Sequence, residues 1–276
     1  MQSTPPSSSP PPGSQPAIGH VILVVEENHS YSQVIGNPSA PYLNSLASQY
    51  GLATQYYANT HPSIGNYFML TTGQIETNDD SFSGTVSDDN IVRRLVAAGK
   101  SWKSYAGGLP AAGYTGGDSY PYLKRHNPFA YLSDVVSNSS QAANLVPFSQ
   151  FAADLASGNL PNFSYVVPDA LKDAHDGSLA DADAWLQQSL SPLLANLQFQ
   201  SDGLLIITFD EADDSDSTHG GGRIATIVVS PKAKRQFQSQ TLFQHECTLR
   251  LILSSLGISS FPGASASAPD MGEFLE

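Results

Sequence analysis

Several kinds of residue and segment are scarce in this sequence, and each scarcity excludes a class of protein. The 276 residues include one cysteine, Cys247, which excludes an intramolecular disulfide and any cysteine-based zinc site. Cys247 lies within an apolar helical pattern and is predicted to be a small core residue. The chain as given contains neither a transmembrane stretch nor a recognisable secretory signal.

Basic residues are also scarce. Twelve Lys and Arg stand against 25 Asp and Glu, and the net charge is −13. This balance argues against binding to nucleic acid or to an anionic membrane by bulk electrostatics. A site for an anionic substrate must then supply its own positive charge, and a divalent metal ion is the obvious source. A hydrophobic content of 40% is ample for a sizeable core.

The first 18 residues differ in composition from the rest. Residues 1–18 are rich in Pro and Ser and cannot pack a core, so they are predicted to be a disordered tether. Residues 19–276 are predicted to form a single domain. Such a tether is common just after a removed export signal, so we expect a secreted or periplasmic protein. An intracellular protein with a loose leader is the alternative, and the oligomeric state is left open.

From Gly19 onwards, segments with strand and helix patterns alternate. This alternation predicts an α/β fold with a mainly parallel sheet sandwiched between helices. The region 106–147 has no clear period and is expected to form loops that line a pocket. The strands are predicted at 20–25, 52–57, 101–105, 163–167, 203–209 and 224–230, and the helices at 41–50, 66–72, 89–98, 178–197 and 243–256.

The first strand ends on acidic residues. A run of aliphatic residues, Val21–Val25, is followed directly by Glu26, Glu27 and Asn28. In an open α/β sheet, ligands bind outside the carboxyl ends of the strands, so this polar cluster is a candidate edge of an active site. Strand alternation separates the two glutamates: Glu27 is the candidate ligand, and Glu26 points away and is predicted to be structural.

A serine precedes a short helical pattern after the second strand. Ser63 lies at or just before the helix N-terminus, where free backbone N–H groups stabilise an oxyanion or a phosphate. A serine at that position is usually only an N-cap. The flanking polar residues His61 and Asn66 favour a functional role, because both are placed to face the same crevice.

Two further strands end on acids and imidazoles. After 163–167 come Asp173, His175 and Asp176, of which His175 could bind a metal or donate a proton while the aspartates orient it. Asp176 is also interpreted as a cap of the following helix. After 203–209 come Asp210 and Glu211, within an acidic run that would be costly at a crevice without a cation.

The segment that follows Glu211 matches no standard metal or phosphate loop. It lacks the glycine and the closing glutamate of an EF-hand, and Gly220–Gly222 is too short for a Walker loop. We interpret these glycines as a close approach of backbone to ligand. His219 and Arg223 flank them as candidate substrate contacts, with Arg223 as a phosphate clamp.

These strand ends together suggest one kind of chemistry. Oxygen-rich ligands with one or two imidazoles suit a divalent cation bound by hard donors. A metal beside a serine hydroxyl makes an alkoxide nucleophile available near neutral pH. That combination is typical of enzymes that transfer phosphoryl or sulfuryl groups.

Four blocks of the sequence resemble a known family. They are, in chain order, Glu27–Tyr31, His61–Tyr67, Pro168–Gly177 and Phe209–Glu211. In this order they are similar to the signature blocks of the bacterial acid phosphatase/phospholipase C phosphoesterase family, which belongs to the alkaline phosphatase-like superfamily. The resemblance spans about 19–257. The chain has Gly65 where the family usually has proline and Asp169 where it usually has asparagine.

The resemblance implies an alkaline phosphatase-like core and a metal ion of unknown identity. The residues it implies as metal ligands are Glu27, Asn28, Ser63, Asp210 and Glu211. It also implies that Ser63 is the nucleophile.

The remaining roles are our own hypothesis. We expect an acid phosphatase acting on small phosphomonoesters through a phosphoserine, with His175, or less favoured His219, protonating the leaving alcohol. The candidate substrate contacts are His61, Asn66, Asp173, His219 and Arg223. The alternatives are a phospholipase C or phosphodiesterase, a sulfate ester hydrolase, and a non-catalytic, metal-stabilised extracellular binding module.

Overall fold

A computed structural model describes residues 17–276 as an eight-stranded sheet flanked by helices. The sheet order is β4-β3-β5-β1-β6-β7-β2-β8, and β7 runs antiparallel to its neighbours β6 and β2. The predicted α/β class with a mainly parallel sheet is therefore confirmed. The strands are β1 (His20–Glu26), β2 (Gly51–Ala53), β3 (Trp102–Ala106), β4 (Leu145–Pro147), β5 (Phe163–Val167), β6 (Gly203–Phe209), β7 (Thr226–Val229) and β8 (Phe237–Ser239).

The helices pack in two groups. Helices α3, α4 and α10 contact one another, and α2 contacts α8. The α-helices are α1 (Tyr31–Val34), α2 (Pro41–Gln49), α3 (Ser63–Thr72), α4 (Ile91–Ala97), α5 (Ser133–Val136), α6 (Ser139–Ala142), α7 (Ser149–Ser157), α8 (Leu179–Leu194), α9 (Leu197–Asp202) and α10 (His245–Ser255). Short 3₁₀ turns occur at Lys124–His126, Pro128–Tyr131, Gly263–Ala266 and Met271–Phe274.

The centre of the sheet follows from the two most hydrophobic runs. β1 and β6 are buried along almost their whole length and pair in parallel from His20 opposite Gly203 to Glu26 opposite Phe209. Apolar side chains on both faces of a strand favour such a central position, because helices cover the sheet on both sides. The predicted bounds of β5 and β6 agree with the structure residue for residue.

The prediction is poorest at the sheet edges. Region 106–147 was expected to be irregular, but it contains α5, α6 and two 3₁₀ turns and ends in β4. Strands β4 and β8 and helices α1 and α7 were not predicted. The edge strands β4 and β8 have three residues each, which is too short to show a period of two.

The start of the chain lies partly outside the described residues. The predicted tether falls on residues 1–18, of which 1–16 are not described; Ile18 is buried in the core. Cys247 is buried, and burial raises the pKa of its thiol to about 12, as expected of a core residue. Within 17–276, no helix combines the length and apolar composition needed to cross a membrane.

Glu26 is the last residue of β1 and carries a buried carboxyl group. It is fully buried, and neither of its carboxyl oxygens has a hydrogen-bond partner within the described residues. Burial, followed by repulsion from Asp173 and Asp183, raises the pKa of Glu26 well above its ordinary value. Burial therefore disfavours the charged form of Glu26.

The substitution Glu26→Gln should flatten the dependence of stability on pH. Because the pKa of Glu26 is higher in the folded than in the unfolded protein, the native state loses stability as the pH rises from the unfolded-state pKa to the folded-state pKa. The total loss is about 1.4 kcal/mol for each unit by which the two pKa values differ. Thermal melts of both proteins between about pH 5 and about pH 8 test this. A decline in Tm as steep in the variant as in the wild type would contradict it.

Candidate active site

The pairing of β1 with β6 brings two acidic strand ends together. Beyond the Glu26–Phe209 pair, the Asp210 N–H donates to the Glu26 carbonyl at 2.9 Å, and the Asn28 N–H donates to Asp210 Oδ1 at 3.3 Å. Glu27, Asp210 and Glu211 are all buried. Asn28 has φ +42°, a left-handed conformation that asparagine tolerates better than most residues. The predicted ligands thus converge at the carboxyl ends of the central strands β1 and β6.

Ser63 is the first residue of α3 and points into this acidic cluster. The N-cap of the helix is Pro62, and the helix has no side-chain cap. Ser63 Oγ instead lies 3.3 Å from Glu27 Oε2 and 3.4 Å from Glu211 Oε1, and the residue is 3% exposed. The interpretation of Ser63 as a helix N-cap is therefore wrong.

The cluster carries more negative charge than its burial allows without compensation. Burial raises the pKa of Asp210 to about 7 and, together with repulsion from Asp210, raises the pKa of Glu211 to about 9. The pKa of Glu27 is also raised, mainly by burial. The buried oxygens Asp210 Oδ2 and Asn28 Oδ1 have no hydrogen-bond partner among the described residues. A cation would satisfy both oxygens and stabilise the ionised carboxylates.

Two residues that the sequence analysis missed also contact Glu27. The Tyr67 hydroxyl donates a hydrogen bond to Glu27 Oε1. His126 lies between two carboxylates, with Nε2 3.2 Å from Glu27 Oε1 and Nδ1 3.2 Å from Asp173 Oδ2. Burial lowers the pKa of His126. Its Nδ1 is within hydrogen-bond distance of Asp173, whereas its Nε2 has no hydrogen-bond partner among the described residues. Tyr67 was in a recognised block but had no role, and His126 lay in the region that showed no periodicity.

His175 is oriented by the residues on either side of it. Its backbone N–H donates to Asp173 Oδ1 at 2.9 Å, and its Nδ1 lies 2.8 Å from Asp176 Oδ1. Burial raises the pKa of Asp173 to about 7. Asp176 does not cap α8, because Ser178 is the N-cap. His175 Nε2 lies 3.4 Å from Arg125 Nη2, so an imidazole and a guanidinium lie beside each other at the candidate site.

The predicted substrate contacts His61 and Asn66 already have protein partners. His61 Nδ1 lies 3.0 Å from Glu211 Oε2, and its Nε2 lies 3.0 Å from the Asp216 carbonyl. Asn66 is fully buried; its Oδ1 accepts from the Asn59 N–H at 2.9 Å and the Thr60 N–H at 3.2 Å. Asn66 thus holds the loop that leads into Ser63.

A carboxylate and an arginine lie at the start of α3. Asp80 Oδ1 accepts a hydrogen bond from the Ile64 N–H at 3.2 Å, and Asp80 Oδ2 lies 3.7 Å from Arg125 Nε. Arg125 also lies 3.6 Å from Asp118 Oδ2. Arg125 is therefore a cation beside His175, and Asp80 links it to the residue that follows Ser63. The sequence analysis had not selected Arg125.

Two predicted substrate residues have their contacts elsewhere. The Arg223 guanidinium lies 3.9 Å from the centroid of the Tyr31 ring and donates to the Thr54 carbonyl. His219 is exposed and packs edge-on against Tyr57, with ring centroids 4.4 Å apart. Their proposed contacts with substrate remain predictions.

Gly65 explains one departure from the family pattern. A Cβ atom at this position would lie 2.3 Å from Asn78 Oδ1 and 2.6 Å from a Thr60 side-chain carbon. Any larger residue, proline included, would force these neighbours apart. The first turn of α3 is therefore packed directly against the loop that carries Asn78.

Among residues 17–276, two groups of side chains have ligand atoms close enough to bind a metal ion. They are Glu27, His126 and His175, and His61, Glu211 and Asp214; within each group the atoms lie within 4.8 Å of one another. Both groups border the Ser63 cluster through Glu27 and Glu211. The region around Ser63 thus combines a nucleophile, hard oxygen donors and imidazoles.

A comparison with protein families agrees with this arrangement. Residues 37–259 match the model of the Phosphoesterase family. This chain belongs to the phosphoesterase family. The predicted family membership is thereby confirmed.

Curated relatives of this phosphoesterase include phosphatases. It is 39% identical over 203 residues to a phosphatidylinositol-3-phosphatase of Mycobacterium tuberculosis, covering 72% of this chain and 66% of the relative. It is 34% identical over 242 residues to a probable acid phosphatase of Kluyveromyces lactis, covering 83% and 56%. The matches thus span about half to two thirds of these relatives' own lengths.

A solved structure confirms the predicted core. A protein of the alkaline phosphatase superfamily from Vibrio parahaemolyticus superposes with a TM-score of 0.64 at 13% identity, covering 89% of this chain and 68% of that one. At this identity the match shows the fold alone. The expectation of an alkaline phosphatase-like core is confirmed.

The contacts of Asn66 predict a structural cost of its removal. Asn66→Ala leaves the Asn59 and Thr60 N–H groups without an acceptor and should lower the free energy of unfolding by about 2 kcal/mol. The exposed Asn159→Ala should change it by less than about 0.5 kcal/mol. Urea denaturation with excess chelator measures both without a contribution from bound metal. If Asn66 only contacted substrate, Asn66→Ala would be as stable as wild type.

Proposed function

We propose that this phosphoesterase is a metal-dependent hydrolase of phosphomonoesters that forms a phosphoserine on Ser63. The observation that carries the proposal is the position of Ser63 Oγ, within 3.4 Å of Glu27 and Glu211 at the start of a helix. A serine in a purely structural metal site would need no helix N-terminus or neighbouring histidine. The relatives named as phosphatases support the same reaction class.

The donor set fits a divalent cation bound by hard ligands. Glu27, Asn28, Ser63, Asp210 and Glu211 would hold it, since their oxygens converge and two of them lack partners. When bound, such an ion withdraws electron density from the serine oxygen and from the phosphoryl oxygens. Tyr67, by donating to Glu27, would fix the orientation of that ligand.

The protein's own groups can carry the two chemical steps. In the first, Ser63 Oγ attacks phosphorus and its proton passes to a facing carboxylate, while the phosphorus–oxygen bond to the alcohol breaks. His175 donates a proton to the leaving alkoxide, with Asp176 orienting the ring. In the second step, His175 takes a proton from water, the water oxygen bonds to phosphorus, and Ser63 Oγ leaves and recovers its proton.

Arg125 provides positive charge on the His175 side of the site. Its guanidinium lies 3.4 Å from His175 Nε2 and near Asp80. A guanidinium there can bind non-bridging phosphoryl oxygens with two parallel hydrogen bonds. We assign Arg125 this clamp role, alongside the predicted contacts His61, Asp173, His219 and Arg223.

Other esters and a non-catalytic role are the competing functions. A substrate panel with a monoester, a diester, phosphatidylcholine, a sulfate ester and phosphatidylinositol 3-phosphate separates phosphatase, phosphodiesterase, phospholipase C and sulfatase activity. Phosphatidylinositol 3-phosphate is included because one relative is named a phosphatidylinositol-3-phosphatase. If no ester is hydrolysed while metal stays bound, the binding-module alternative is correct.

Ser63→Ala should remove turnover without unfolding the protein. We expect monoester hydrolysis to fall at least about a thousandfold, with an unchanged far-UV spectrum. Wild type quenched in acid during turnover should carry covalent phosphate, and Ser63→Ala should not. The exposed Ser87→Ala serves as control and should retain the label. Label on Ser63→Ala, or near-normal hydrolysis by it, would exclude Ser63 as nucleophile.

Asp210→Asn should lose both metal and activity. The change removes a carboxylate charge and keeps the shape, so metal affinity should fall by about tenfold or more. Mass spectrometry of purified variants gives metal content, and the exposed Asp88→Asn controls for the loss of one negative charge. Full metal content in Asp210→Asn would rule out Asp210 as a ligand.

A further inference from the structure

A cavity adjoins the candidate active site. It has a volume of about 370 Å³ and lies between the segments 80–83 and 115–118, with Lys124 and Tyr131 completing its wall. None of the roles assigned above uses this space. Its size is within the range of pockets that hold small organic molecules.

Asp80 and Arg125 connect the cavity to Ser63. Asp80 lines the cavity, and its Oδ1 accepts from the Ile64 N–H, one residue after the serine. Arg125 follows the lining residue Lys124 in the chain and contacts both Asp80 and the lining residue Asp118. A phosphoryl group held at Ser63 by Arg125 would therefore have the cavity next to it.

One wall of the cavity is aromatic. The rings of Phe82 and Tyr131 are stacked, with centroids 5.8 Å apart and an interplanar angle of 26°. The Lys124 ammonium lies 4.3 Å from the centroid of the Tyr131 ring. Tyr131 is only 2% exposed, so the partly exposed Phe82 ring offers the aromatic surface of this wall. An aromatic surface packs well against the C–H face of a small ring.

The remaining lining is polar and mostly acidic. Asp80 and Asp118 offer carboxylate acceptors, Ser81 and Thr115 offer hydroxyls, and Lys124 offers a donor. Arg125 lies 3.7 Å from Asp80 and 3.6 Å from Asp118, so Lys124 and Arg125 together balance the charge of the two carboxylates. An alkyl chain would remove these charged groups from water without replacing their hydrogen bonds. Ligand hydroxyls, in contrast, can pair with all of them.

We propose that this cavity binds the alcohol part of the substrate and selects a hydroxylated ring, as in a sugar phosphate or a cyclitol phosphate. The inference rests on the proposed phosphomonoesterase activity and specifies its substrate class. The phosphoryl group lies at Ser63, the ring lies against Phe82, and the ring hydroxyls bond to Asp80, Asp118 and Lys124.

The test compares esters that share a ring but differ in hydroxyl groups. With wild-type enzyme, kcat/KM for glucose 6-phosphate or for an inositol monophosphate should exceed that for cyclohexyl phosphate by about tenfold or more. The two hydroxylated arms distinguish a sugar from a cyclitol. A preference for either one supports the proposal.

Lys124→Met tests the cavity itself. The substitution keeps an apolar stem against Tyr131 and removes the ammonium donor, so the preference for the hydroxylated ester over cyclohexyl phosphate should fall by about tenfold. Lys100→Met, on the turn between α4 and β3, removes the same charge away from the cavity lining. This control should leave the preference unchanged.

Two results would overturn the inference while leaving the proposed function intact. One is equal kcat/KM for cyclohexyl phosphate and the hydroxylated esters. The other is a preference that Lys124→Met leaves unaltered. If none of the three esters is hydrolysed and no other phosphomonoester is either, the proposed function itself fails.

Discussion

The structure depends on the burial of like charges at adjacent strand ends. The parallel pairing of β1 with β6 places Glu27 beside Asp210 and Glu211, and the helices that make the core exclude water from all three. Each carboxylate disfavours the ionisation of its neighbours, and burial acts in the same direction. This constraint explains why hydrogen-bond donors surround the carboxylates. The Tyr67 hydroxyl, the Ser63 hydroxyl and the Asn28 N–H each donate to one of them.

The sequence predicted the parts of the molecule whose cause is local. Hydrophobic runs predicted the bounds of β5 and β6 to the residue. The polar residues after β1, β5 and β6 predicted three segments that line the candidate site. Ser63 was found because a helix start gives a serine a recognisable context. The strand bounds are confirmed because strand burial is encoded in consecutive residues. The roles of the strand-end residues stay predictions.

The residues that were missed are brought in by tertiary contacts. His126 and Arg125 lie in a one-turn 3₁₀ helix within a segment without periodicity, and only the folded chain places them against Glu27 and His175. Arg223 was selected for its neighbouring glycines, yet its guanidinium stacks on Tyr31. Asn66 was expected to face substrate, but its amide is engaged by the preceding loop. The sequence shows which residue types are present, but only the folded structure shows which of their polar atoms are already bonded to other protein groups.

Helix α3 has one property with consequences for how such proteins diversify. All ten of its residues, from Ser63 to Thr72, are buried. A serine fixed at the end of a fully enclosed helix cannot shift without repacking the core. The segments 73–90 and 106–127, by contrast, are mostly loops at the surface, where insertions and replacements are tolerated. New specificities on this scaffold should therefore arise by exchange of these loops around an immobile serine.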